Sequence, residues 1–136
     1  MQMQTVKSKK LIIIPAYNES ESILKTIEMV KKAAPDYDYI VINDCSKDNT
    51  REILVRSKVP YIDLPINLGI GGAVQTGYKY AADNGDIASC YAVGMRYFYG
   101  IGTEKDKEAA KDYWTRAAGK GNEEAALKLK ECFPGE

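Results

Sequence analysis

The chain has 136 residues, 45% hydrophobic and 28% charged, and its lysines and arginines balance its aspartates and glutamates at zero net charge. This is the composition of a globular protein, long enough for one domain with a core or two very small ones, and it gives no electrostatic case for nucleic acid or an anionic membrane as partner. Histidine is absent, which excludes a His-based triad and His-ligated zinc, and the three cysteines, Cys45, Cys90 and Cys132, have neither metal-ligand spacing nor the even count of a disulfide framework. No apolar run reaches membrane-spanning length and the N-terminus lacks the apolar stretch of a signal peptide, so a cytoplasmic protein is expected.

In chain order, Leu11 to Glu19 comes first, reading Leu-Ile-Ile-Ile-Pro-Ala-Tyr-Asn-Glu. Four large apolar residues, three of them β-branched, predict a strand buried on both faces, as in a parallel sheet covered by helices. Pro15 should stop its ladder, and Asn18 and Ser20 should cap the helix that carries Ile23, Leu24, Ile27 and Val30. Tyr39 to Ile42 predicts a second strand, followed by polar turn residues and a helix capped at Thr50 with Ile53, Leu54 and Val55 inward. Pro60 and Pro65 bracket a third, short run, Tyr61 to Leu64, better suited to a sheet edge. Asn67 to Gly72 then opens a helix through Val74, Tyr78 and Ala81. Three strand–helix units in a row predict a three-stranded parallel, half-Rossmann sheet in the order third, second, first.

After Gly85 the strand-like runs end. Ala88, Tyr91, Met95 and Phe98 make one helical stripe and Ala109, Tyr113, Trp114 and Ala117 another, around a Gly100-Ile101-Gly102 turn. Gly85-Asp86 and Gly121-Asn122 lie 36 residues apart, an offset that Val93 and Leu129 share, which suggests a helical-hairpin repeat. A lone repeat of this kind buries little by itself.

Chemistry-bearing residues concentrate at the carboxyl ends of the strands, where ligands bind in open α/β sheets. Glu19 and Asp44 fall there; two acids so placed are either recognition groups for a base, ribose or cation, or exposed turn acids. Asp36-Tyr37-Asp38 has metal-motif letters but precedes the second strand, at the wrong end of the sheet. Gly69 to Gly72 departs from the dinucleotide fingerprint, because Val74 stands where its last glycine would fall; its amides either approach a ligand or serve close packing. Cys45 has no base partner and reads as a buried or incidental thiol. Tyr113 and Trp114 read as core, Glu104 to Glu108 as a solvated helix start, and Asp112 with Arg116 as a weak i,i+4 pair.

Two resemblances follow from these residues. Ile14-Pro15-Ala16-Tyr17-Asn18-Glu19, Val41 to Thr50, and Asn67-Leu68-Gly69 through Gly77 resemble a family-two glycosyltransferase of the GT-A fold, of the polyprenyl- or dolichyl-phosphate sugar transferase type, over roughly residues 8–86. The resemblance implies a nucleoside diphosphate or nucleotide-sugar partner, with Ala16, Tyr17, Glu19 and Asp44 as nucleotide-binding candidates. Mg²⁺ or Mn²⁺ is implied by the resemblance alone, and no residue is assigned to catalysis or to metal. Asn43 stands where that family usually has Asp, and Cys45 where it often has Gly. The family's later Asp-x-Asp and acceptor half have no counterpart here.

Gly85 to Leu129 instead resembles a Sel-one-like repeat, related to tetratricopeptide repeats, on Gly94, Tyr97, Gly100, Gly102, Asp106, Ala109 and Gly121-Asn122. It implies a protein partner and no chemistry. The expected organisation is a nucleotide-binding α/β part over 1–86 and a helical repeat over 87–136. Three functions fit: a catalytically incomplete nucleotide-sugar-binding half, an interaction module, or a natural or engineered chimera without enzymatic activity. In the parent fold the first strand is central. Here it should lie at an edge and pair two protomers as a homodimer, antiparallel about a two-fold axis.

Overall fold

The computed structural model describes residues 11–135. Their elements run β1 (Leu11–Ala16), α1 (Ile23–Ala33), β2 (Asp38–Asn43), α2 (Thr50–Ser57), β3 (Tyr61–Asp63), α3 (Gly69–Asp83), α4 (Ile87–Tyr99), α5 (Lys107–Gly119) and α6 (Glu123–Cys132). They form two compact units that divide inside α3, after Val74.

The first unit is built on a three-stranded sheet in the order β1-β2-β3. Both pairings are parallel, Leu11 to Ala16 facing Asp38 to Asn43 and Val41 to Asn43 facing Tyr61 to Asp63. This is the expected order and direction. The period-two alternation of a strand explains how both faces are buried. Ile12, Ile14, Ala16, Tyr39 and Val41 pack with Ile23 and Ile27 of α1 and Leu54 of α2. Leu11, Ile13, Ile40 and Ile42 pack on the other face with Ala73 of α3. β-Branched side chains fill a pleated surface well, which is why a run of isoleucines suits a strand covered twice.

Pro15 lies inside β1, not at its end, opposite Ile42. The Asp44 amide donates to the Ala16 carbonyl at 2.8 Å, so Ala16 directs its main-chain groups toward β2. By alternation Ile14 and Ile12 do the same, and Leu11, Ile13 and Pro15 turn theirs to the outer side. A proline on an edge strand with its missing N–H outward breaks no ladder bond, so Pro15 is compatible with the sheet.

The helix starts also differ from expectation. α1 starts only at Ile23, with Ser22 as cap residue, and α2 starts at Thr50 behind Asn49. Asn18, Ser20 and Thr50 instead join one loop to another, as described below. Leu24 and Val55 are exposed, at 44% and 48%, because each helix turns only a narrow stripe to the sheet.

The second unit runs from Gln75 and has its own core around Trp114, with Ala82, Cys90, Val93, Tyr113, Ala117 and Ala125. Trp114 is fully buried and donates its indole N–H to the Tyr91 carbonyl at 3.2 Å. Gly94 makes room for the ring: a Cβ there would lie 2.3 Å from Trp114 Cδ1. Asp106 and Asn122 cap α5 and α6 by accepting from the Ala109 amide at 3.0 Å and the Ala125 amide at 2.7 Å. Arg116 pairs with Asp83 at 3.0 Å and not with Asp112.

Candidate functional site

Three loops meet at the carboxyl end of the sheet: 17–22 after β1, 44–49 after β2, and 64–68 after β3. Each strand ends in a residue whose backbone or side chain ties it to the next. The Leu64 amide donates to the Asn43 carbonyl at 2.9 Å, as the Asp44 amide does to Ala16.

Asp44 is the centre of the arrangement. It is 3% exposed, and its carboxylate accepts from the Leu68 amide at 2.6 Å and the Gly69 amide at 2.8 Å. The Asn67 side-chain amide adds a bond to the Asp44 carbonyl at 3.1 Å. An anion on the free amides at the start of a helix meets both unpaired donors and the positive end of the helix dipole. Gly69 has φ +81°, so glycine is suited to the position that turns its amide onto Asp44.

The first and second loops are joined by the side chains of Asn18 and Thr50, expected as helix caps, together with those of Ser46 and Asp48. The Asn18 amide donates to Ser46 Oγ at 2.9 Å, the Glu19 amide to Thr50 Oγ1 at 2.9 Å, and the Ser20 amide to Asp48 Oδ2 at 3.1 Å. In return Asn18 Oδ1 accepts from the Lys47 amide at 2.8 Å and the Asp48 amide at 3.3 Å. Asp48 also accepts from the Thr50 hydroxyl at 2.5 Å, and this bond is the leading cause that lowers the Asp48 carboxyl from 3.8 to about 2.

A further chain runs beneath. Ser46 Oγ donates to Asn43 Oδ1 at 2.6 Å, Asn43 Nδ2 donates to Asp63 Oδ1 at 2.7 Å, and Arg51 Nε donates to Asp63 Oδ2 at 2.5 Å. Asn43 is buried, at 2% exposure.

The four residues read from the sequence fall into two groups. Ala16 and Asp44 are buried and directly bonded. Tyr17 and Glu19 are exposed on the first loop, where Glu19 Oε1 accepts from Ser22 Oγ at 2.9 Å. Asp38 starts β2 and Asp36 lies in the turn before it, at the opposite end of that strand from Asn43. Cys45 sits at φ +59° with Sγ 3.5 Å from the Pro65 carbonyl. Asn18, Ser46, Asp48, Thr50, Asp63 and Arg51 were missed as parts of the site. For Ser46, Asp48, Thr50 and Arg51 the signal was the dense polar run from Asn43 to Arg51, but their partners Asn18 and Asp63 lie on other loops and strands and leave no mark in that run.

A divalent cation does not fit the described residues well. Both Asp44 oxygens are taken by amides, and among the described residues no group of three or more His, Cys, Asp or Glu converges.

The sequence profile described as glycosyl transferase family 2 matches residues 11–113, well over half of the chain. The chain belongs to glycosyl transferase family 2. Among curated relatives, a poly-β-1,6-N-acetyl-D-glucosamine synthase of Staphylococcus epidermidis is 36% identical over 75 residues, covering 52% of this chain and 18% of the relative. A dolichyl-phosphate β-glucosyltransferase of Trichomonas vaginalis is 40% identical over 79 residues, covering 48% and 23%. An undecaprenyl-phosphate mannosyltransferase of Micrococcus luteus is 31% identical over 80 residues, covering 55% and 33%. The chain thus spans no more than a third of these relatives' length. No helix among the described residues is long and apolar enough to cross a membrane.

Proposed function

We propose that the first unit binds the nucleoside diphosphate part of a nucleotide-sugar at the carboxyl end of β1 and β2. Family membership supports this reading, and one observation carries it: Asp44 fixes the third loop to the second, and the first loop, which carries the exposed Tyr17 and Glu19, is bonded to that same second loop. In this reading Tyr17 supplies a face for the base, Glu19 accepts hydrogen bonds from base or ribose, and Ala16 lets the ligand approach the backbone. Asp44 holds the third loop against the second.

In the reaction of an intact transferase, an acceptor oxygen bonds to the anomeric carbon as the bond from that carbon to the nucleoside diphosphate breaks, and the diphosphate leaves. This chain's own residues would bind and orient the nucleotide. We assign none of them to base catalysis and propose that the 136 residues alone do not turn over. A thermal-shift screen with uridine and guanosine diphosphate, each with and without Mg²⁺, tests the reading. One nucleotide should raise the melting temperature; no shift with either at millimolar concentration would contradict it.

A second reading concerns the helices from Gln75 on. The turns at Gly85 and Gly121 both have φ +99°. The residue after each starts the next helix at φ −80°, ψ 109° and φ −78°, ψ 110°. The same bonds recur 36 residues apart, from the Asp86 amide to the Ala81 carbonyl and from the Asn122 amide to the Ala117 carbonyl, each 3.0 Å. This supports a duplicated helix–turn–helix, hence the Sel-one-like repeat and a protein partner. The family match running to residue 113 covers α4 and half of α5, so the chimera is held only as this second reading. Self-association through β1 is proposed on the main-chain groups of Leu11 and Ile13 that alternation turns outward.

A further inference from the structure

Asn43, one of the two positions where this chain departs from the family's usual letters, has a structural counterpart elsewhere in the fold. Asn43 ends β2 and Asp63 ends β3, paired in register, and Asn43 Nδ2 donates to Asp63 Oδ1 at 2.7 Å. An aspartate at position 43 would bring a second carboxylate to that distance, which at neutral pH is strongly unfavourable unless one of the two holds a proton. Asn43 is therefore matched to Asp63. The amide's other end is also occupied, since Asn43 Oδ1 accepts from Ser46 Oγ, whose oxygen takes the Asn18 amide. One buried side chain thus links the end of β3 to the first two loops.

We propose that Asn43 and Asp63 are a matched positioning pair that fixes the Ser46–Asn18 contact, and through it the loop carrying Tyr17 and Glu19. The bearing of the pair on ligand affinity rests on the nucleotide-binding reading above; the pair itself does not. Neither residue touches the ligand in this proposal. The charged groups around position 43 are Asp63 from β3 and Arg51 from α2, which holds Asp63 Oδ2. Asp44 follows in the chain with its carboxylate turned to the α3 amides, and the β1 neighbour in register is the uncharged Ala16.

The direction of the pH effect follows. In Asn43→Asp the new carboxyl has a folded-state pKa raised by Asp63. Its protonated form can donate to Asp63 as the amide does, so the variant is nearly normal at low pH and loses stability as pH rises through the raised pKa. The test uses Asn43→Asp, Asp63→Asn and the double variant, each melted and titrated with uridine and guanosine diphosphate at about pH 5 and pH 8. Relative to the parent chain, Asn43→Asp should bind about tenfold more weakly at pH 8 and recover most of that at pH 5, an effect of the size seen for coupled residues in one network. The double variant, which restores one donor opposite one carboxylate, should recover most of the loss at pH 8. Parent-like melting and binding of Asn43→Asp at both pH values would overturn the pair, as would a double variant no better than the single one. If the parent chain binds neither nucleotide, the functional reading fails by itself, and the pH-dependent melting and its recovery in the double variant still decide the pair. Should Asn43→Asp not fold at pH 8, folding of the double variant there supports the proposal and its failure to fold contradicts it.

Discussion

At the scale of single residues, the site is held by polar side chains that bond backbone amides of a neighbouring loop. Asp48 shows how this bears on pH. Its folded pKa is depressed from 3.8 to about 2, chiefly by the Thr50 hydroxyl. A depressed carboxylate contributes stability that is present above its unfolded pKa and is lost as pH falls through the folded one. The urea midpoint of the parent chain should therefore fall between pH 3.8 and about 2, and Asp48→Asn should show a shallower fall over that window. Equal slopes would show that the Thr50 and Ser20 bonds contribute nothing to acid sensitivity. Cys45 makes a different point: it occupies the left-handed region at φ +59°, where a side chain costs ~1–2 kcal/mol. Glycine removes that cost but gains freedom in the unfolded chain, ~0.5–1 kcal/mol, so Cys45→Gly should stabilise by about 0.5–1 kcal/mol on denaturation. A loss of stability would mean that the thiol contact to Pro65 outweighs the backbone term.

At the scale of elements, the strands were legible because local composition and tertiary demand agree. Ile12 to Ile14 and Ile40 to Ile42 are apolar on alternate sides, and both sides are covered. The helix starts were not legible. Ser20 and Thr50 have the letters of caps, yet the Ser20 amide and the Thr50 hydroxyl meet partners about 30 residues away in the chain, and such bonds leave no local pattern. Pro15 was misread for a related reason: which side of a strand its missing N–H faces depends on the neighbour. Glu19 and Asp44 were placed at the carboxyl end of the sheet from strand position, and Ala16 entered through the family resemblance, while Asn43 and Asp63 become a pair only once β2 and β3 are in register. In the second unit the reading of Trp114 as core agrees with its full burial. Trp114→Ala should cost ~3–5 kcal/mol by chemical denaturation. A loss below about 1 kcal/mol, the size of a surface change, would contradict the packing around Gly94 and Val93.

At the scale of the whole molecule, the family profile crosses both units, yet the chain covers only part of each relative described above. The sheet has β1 and β3 at its two margins among the described residues. If two chains pair through β1, the ladder must use Leu11 and Ile13, because alternation turns Ile12 and Ile14 inward and Pro15 offers no N–H. Sedimentation at micromolar concentration should then show a dimer that Ile13→Pro converts to monomer; a monomeric parent chain would contradict pairing. The central claim, however, is nucleotide recognition by the loops around Asp44. Its most direct test is calorimetric titration of the parent chain, Tyr17→Ala and Asp44→Ala with uridine and guanosine diphosphate. The account predicts one saturable site per chain for one of the two nucleotides, weakened by Tyr17→Ala without loss of melting temperature and abolished by Asp44→Ala. Absence of heat with both nucleotides, or parent-like affinity in Asp44→Ala, would contradict it.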